Sequence, residues 1–340
     1  MLFKYFSLAL AGASILIPYT VVASPDHSEA IAGNTTILEL AQAPPIQVTV
    51  QDLKGFKGAI TALAVSPDGS RLVVATGDGA ISMIDLDNLD SVYTRTFDVN
   101  DFSNISYSPD GKVFATAQER AIGVFGVRGG RAKETLRGHA GKVSALAISP
   151  DAKTLVSVSG EDQTIRVWDL EEGELIQTIG EDVGSVTEVT FAPNGQYFVT
   201  GSIANSRYLK FWDANTFELL QTYPQQPNIF GLAITPDGQT LLAAVKNFIR
   251  AWDINTSQQL WSVKAASLDI NSIAVSPDGR MLATADKSRR VGLFDVATGE
   301  QITSLEGHDG WVLTVAFSPD GRFLFSGAED KVVKIWQLYP

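Results

Sequence analysis

The sequence predicts an all-β fold, a seven-bladed propeller of four-stranded antiparallel blades closed by its N-terminal strand. Three observations carry this: one turn phrase occurs seven times, its copies are almost evenly spaced, and four strand-like segments fill each interval. The phrase reads Ser66-Pro67-Asp68-Gly69 and starts again at Ser108, Ser149, Ala192, Thr235, Ser276 and Ser318. The intervals are 42, 41, 43, 43, 41 and 42 residues.

Each copy has the chemistry of a hairpin turn. Proline presets φ, Asp or Asn bonds to nearby backbone, and glycine accepts the positive φ that closes the loop. Before the phrase lies an apolar first strand, such as residues 60–65 or 312–317. After it come a second strand (72–75, 324–326), a third (165–168, 332–336) and a fourth (175–179, 301–305). A lone four-stranded sheet leaves two faces uncovered, whereas radial packing of seven gives every sheet two neighbours. The seventh unit reaches Pro340 after its third strand, and residues 46–53 form a strand preceded only by a lead-in. Leu53-Lys54-Gly55-Phe56-Lys57-Gly58 aligns in step with Leu305-Glu306-Gly307-His308-Asp309-Gly310, so the N-terminal strand is expected to complete the last blade.

Composition is that of a globular chain, 45% hydrophobic and 19% charged. There is no cysteine, which excludes disulfides, thiolate metal sites and cysteine nucleophiles. A formal charge of -12 repels phosphate backbones and argues against a nucleic-acid partner. Residues 1–23 place Lys4 before an apolar run, then Pro18 and small residues ahead of Ser24, the order of a secretory signal cleaved after Ala23. The expectation is an exported chain, periplasmic or extracellular, with no stable membrane insertion after cleavage. Residues 24–45 read as a flexible lead-in and 46–340 as the propeller.

The repeat resembles that of the WD-repeat family. Trp168-Asp169, Trp212-Asp213 and Trp252-Asp253 match its dipeptide, Ile84-Asp85 and Phe294-Asp295 are variants, and Trp336-Gln337 keeps the Trp. Gly138-His139 and Gly307-His308 match its Gly-His pair, and Asp162 and Asp330 its turn aspartate. The resemblance implies a hydrogen-bonded tetrad in each complete blade: His139, Ser157 or Ser159, Asp162 and Trp168 in one, His308, Ser326, Asp330 and Trp336 in the other. The remaining blades depart from the pattern, with Glu119, Ser206, Lys246 and Ser288 at the turn position, and Asp78 facing Phe56 where His is expected.

Catalytic chemistry finds little support. His27 lies in the lead-in, and the other two histidines have the structural roles just given, so no metal site, no Ser-His-Asp triad and no cofactor is expected. The first-strand positions expected to face the channel are small, among them Ala64, Ala147, Ala233 and Ala274. A non-catalytic scaffold for a protein or peptide partner is therefore preferred over the alternative, a small-molecule enzyme or carbohydrate-binding propeller using the channel. Family resemblance points to the end carrying the turns before the first strands. The residue there reads Ala59, Asp101, Lys142, Ser185, Asn228, Asp269 and Trp311 around the ring, and Trp311 is the outlier. Trp311, with Phe56, Lys142, Asp101, Asp269 and Phe230, forms the candidate partner-binding set, and Phe248 is expected to lie toward the same end. Trp261, on a fourth strand, is either a second exposed contact or a seal between blades.

Overall fold

The computed structural model describes residues 46–98, 102–180, 184–203, 208–224 and 228–339, together with the backbone of 6–10 and 13–17. Phe6–Leu10 pairs antiparallel with Ala13–Ile17 inside one unit, Met1–Ala43. The second unit, Pro44–Pro340, is a seven-bladed propeller without a helix among its described residues. The expected lead-in falls outside the described residues.

The seven inner strands are Ile60–Val65, Phe102–Tyr107, Ala145–Ile148, Ser185–Phe191, Ile229–Ile234, Ile270–Val275 and Val312–Phe317. Each heads a four-stranded antiparallel sheet whose spatial order follows the chain. The seventh blade is the exception. Its inner strand is followed by Phe323–Ala328 and Val333–Tyr339, and its outer strand is Gln47–Leu53, in register from Gln47 opposite Tyr339 to Leu53 opposite Val333. The Lys334 ammonium adds a bond to Asp52 across this junction. Closing the ring with the two ends of the domain removes the free faces that a first and last blade would otherwise expose.

Apolar clusters fill the spaces between consecutive blades. Ile60, Leu72 and Ile84 of the first blade, for example, interlock with Phe325, Val333 and Ile335 of the seventh. Second strands are covered on both faces, so Leu72, Val73, Val74 and Ala75 are all buried and the usual in-out alternation disappears. Outer strands such as Leu175–Ile179 are exposed.

The turn phrase works as its chemistry demands. The hydroxyl of Ser66 donates to Asp68 Oδ1 at 2.6 Å, and Ser108, Ser149, Thr235, Ser276 and Ser318 repeat this bond. Six of the seven closing positions hold glycine at φ between 67° and 74°, and Ala152 adopts 60° in the third blade. At the opposite end of the inner strands, six blades carry a bulge, as between Val186 and Glu188. The bulges turn side chains that would pair within the blade toward the axis or the next blade. Ser103, Thr187 and Asn271 donate from these bulges to the carbonyls of Val143, Ile229 and Val312 in the following blade, at 2.7, 2.9 and 2.8 Å.

Candidate functional site

The inner strands all enter from one end of the ring, and Trp311 stands there immediately before Val312. Its backbone is pinned to the turn between the second and third strands: the Trp311 N–H donates to Glu329 Oε2 at 3.3 Å, and its carbonyl accepts from the Glu329 N–H at 3.0 Å. Gly310 permits this approach, since a Cβ there would lie 2.8 Å from the Asp330 nitrogen. The indole itself is 44% exposed. Lys287 of the sixth blade sits 5.5 Å from the ring centroid and also reaches Asp269 Oδ2 at 3.4 Å. An aromatic, a cation and an acid thus meet at the junction of the sixth and seventh blades. Leu268, next to Asp269 in sequence, is exposed as well.

The other candidates lie elsewhere. The Lys142 N–H donates to Glu161 Oε2 at 2.9 Å, the third-blade counterpart of the Trp311 contact. Asp101 lies outside the described residues. Phe56 does not stand out on the surface beside Trp311. It is half-buried against the cluster of Ile60, Phe325 and Ile335, where an apolar ring at a position held by His in complete blades is stabilised by packing. Phe230 lines a cavity on the propeller axis, and Phe248 is exposed at the start of the fifth blade's third strand. Trp261 seals a junction: its indole N–H donates to the Val296 carbonyl at 3.0 Å, and a Cβ on Gly299 would stand 2.7 Å from its ring.

His139, Ser157, Asp162 and Trp168 form one continuous hydrogen-bond chain, and His308, Ser326, Asp330 and Trp336 form another. All six separations are 2.8 Å. The direction of each bond follows from chemistry. A carboxylate only accepts, so Nδ1 carries the imidazole proton and donates to Asp; with a single ring proton there, Nε2 accepts from the Ser hydroxyl, whose oxygen accepts from the donor-only indole. This is neutral histidine. Burial holds both imidazoles below their usual range, against the upward pull of Asp162 and Asp330. Burial also pushes Asp162 upward, but its bonds to Thr164 and His139 outweigh this and hold it at about 2. Ser159 instead accepts from the Asp162 N–H, at 3.3 Å. In the fourth blade, Trp212 donates to Thr200 at 2.9 Å.

The axis departs from expectation. Ala147, Ala233 and Ala274 pack against clusters between blades, and none of the four alanines expected at the channel lines the axial cavity. That role falls to residues nearer the strand starts, including Ser103, Asn104, Ser272, Thr314 and Glu188. Reading the position four residues before each phrase gives Ala62, Asn104, Ala145, Glu188, Gly231, Ser272 and Thr314. Glu188 is the one acid in that ring, a signal present in the repeat alignment but two positions away from the alanines.

Comparison with known proteins agrees with this geometry. The WD domain, G-beta repeat, model matches residues 47–85, 130–169, 173–213 and 299–337, and the anaphase-promoting complex subunit 4 WD40 domain matches 241–317. The chain is 24% identical over 243 residues to the serine-threonine kinase receptor-associated protein of Gallus gallus, covering 71% of this chain and 67% of the relative. It is 28% identical over 181 residues to the small ribosomal subunit protein RACK1 of Caenorhabditis elegans, covering 48% and 54%. Against the uncharacterized WD repeat-containing protein sll1491 of Synechocystis sp. (strain ATCC 27184 / PCC 6803 / Kazusa), identity is 51% over 269 residues, covering 79% of this chain and 77% of the relative. Kinship of that extent, on a propeller whose third and seventh blades carry the Gly-His, Asp and Trp of the repeat, makes this chain a member of the WD-repeat family.

Proposed function

We propose that the chain is a non-catalytic scaffold that docks a protein or peptide partner on the end of the propeller bearing Trp311. WD-repeat propellers commonly mediate protein–protein interaction, and the relative from Gallus gallus is named for association with a kinase receptor. The observation that carries the reading is a large aromatic left exposed on a pinned backbone. Its ordering by Glu329 and Lys287 lowers the entropy lost on association, and Trp is over-represented among residues that dominate interfaces. Lys287 and Asp269 supply a polar rim that sets orientation. The non-catalytic part rests on the use of His139 and His308 inside buried hydrogen-bond chains.

The order of residues 1–23 supports a second element of the proposal, that the chain is exported and works in the periplasm or outside the cell. N-terminal sequencing of the mature protein tests this, with a start at Ser24 expected and an intact Met1 overturning it. For the docking face, crosslinking and pull-down from the exported fraction with the wild type and Trp311→Ala identify proteins retained only by the former. The variant is expected to melt with the wild type and to lose the partner; equal retention would remove Trp311 from the interface.

A further inference from the structure

We infer that the axial cavity is a binding site for a primary ammonium group, with the Glu188 carboxylate as its counter-charge. The cavity measures about 230 Å³ and is lined by inner strands from six blades. That volume suits the end of an alkylamine chain rather than a sugar ring or a nucleotide. Among its lining residues Glu188 is the one ionisable group. No hydrogen bond or ion pair joins its carboxyl to another described residue, although the side chain reaches the cavity and is largely withdrawn from solvent. An acid held without a partner at the centre of a propeller is a charge awaiting one from outside.

The surroundings favour an ammonium over other cations. Asn104, Ser272 and Thr314 line the same space and spend no side-chain hydrogen bond on another described residue, while Asn271 uses its Nδ2 on Val312 and keeps Oδ1 as an acceptor. Three ammonium protons therefore find one carboxylate and several neutral oxygens, the inventory such a donor needs. Among the described residues no group of three or more His, Cys, Asp and Glu side chains gathers that could hold a metal ion. Phe230 flanks the site and offers an apolar surface to the alkyl stem. The chain's formal charge of -12 also draws cations toward it.

Burial pushes Glu188 up to about 8, so without a cation beside it the acid is protonated at neutral pH. Binding of an ammonium releases that proton, and affinity rises with pH until the amine itself deprotonates. Facing strands contribute only uncharged side chains to the cavity, so no other lining group titrates in this interval.

The test uses the full chain and isothermal titration with n-butylammonium, a peptide bearing one lysine and a blocked N-terminus, and 1-butanol as the uncharged control. Either amine is expected to bind at least tenfold more tightly at pH 9 than at pH 6, with 1-butanol silent and binding lost in Glu188→Gln. Binding of n-butylammonium identifies a free amine as sufficient; binding of the lysine peptide alone identifies a protein side chain as the source. The Gln variant should melt at or above the wild type at pH 9, because it removes the cost of ionising Glu188 in the fold. Should that variant not fold, the pH series on the wild type decides. Neither amine binding, equal binding at pH 6 and 9, or retained binding in Glu188→Gln overturns the inference.

Discussion

The sixth and seventh blades share one backbone plan and differ in what fills it. In the seventh, Trp336, Ser326, His308 and Asp330 hand a hydrogen bond from the third strand to the turn without a gap. In the sixth, Phe294 replaces the Trp, Ala266 stands at the His position and Ser288 at the turn position. Thr284, at the site of Ser326, keeps its hydroxyl with nothing to bond to. A space of about 260 Å³ remains beside Ala266, Asp286 and Ser288. Both blades nonetheless pair their strands in equivalent registers and join the same apolar cluster, in which Ala285 and Leu293 meet Val315 and Trp336. The hydrogen-bond chain therefore does not specify the fold. It sets how firmly one blade is held, and blade geometry comes from apolar contact on both faces and from the turns.

Substitutions at matched positions can break this comparison. His308→Ala opens a cavity and strands both Ser326 and Asp330, and is expected to lower unfolding free energy by about 3 kcal/mol in urea denaturation. A loss below 1 kcal/mol would show that the seventh blade depends on its chain no more than the sixth does.

Acid separates the complete from the incomplete blade by sign. Asp162 titrates near 2 in the fold against 3.8 ordinarily, so its stabilisation, about 2 kcal/mol, is present above pH 4 and disappears as pH falls toward 2. Asp286 is buried, and burial raises it despite the N–H bonds it accepts from Ser288 and Arg290. The folded state then holds its proton more tightly than the unfolded one, and stability falls as pH rises above 3.8. Asp162→Asn should be less stable than the wild type at pH 7 and Asp286→Asn more stable, with both gaps closing toward acid. Melting curves at pH 7, 4 and 2 check this.

Deleting the equivalent hydroxyls should also give opposite results. Ser326→Ala leaves the Trp336 indole and His308 short of a partner and is expected to cost 1 to 2 kcal/mol, roughly. Thr284→Val replaces an orphaned hydroxyl by a methyl of the same shape and is expected to be neutral or stabilising by up to about 1 kcal/mol. The smallest effect concerns the turn shared by all blades. Ala152 adopts a positive φ that glycine holds in the other six, so Ala152→Gly should stabilise by about 1 kcal/mol, seen as a raised melting temperature.

Much of the candidate face was legible as well as the fold. Trp311 stood out against small and polar neighbours in the repeat alignment, and its exposure fits that contrast. Its setting was hidden, because Lys287 and Asp269 belong to the preceding blade and meet the indole only when two blades pack. Trp261 could be read two ways from sequence, and its bond to Val296, 35 residues away, is what makes it a seal. Phe56 and Phe230 show the limit of reading aromatics by position, since one fills a blade junction and the other faces the axis.

By itself the sequence determined the number of blades, their strand order and the closure through residues 46–53. Those features depend on turn chemistry and apolar periodicity, which act over a few residues and recur seven times, so each copy corroborates the others. The tertiary structure alone decided which side chains converge on the axis. The cavity is lined near the strand starts, by Glu188 and its polar neighbours rather than by Ala147, Ala233 and Ala274, and nothing local to one strand reports where six strands meet.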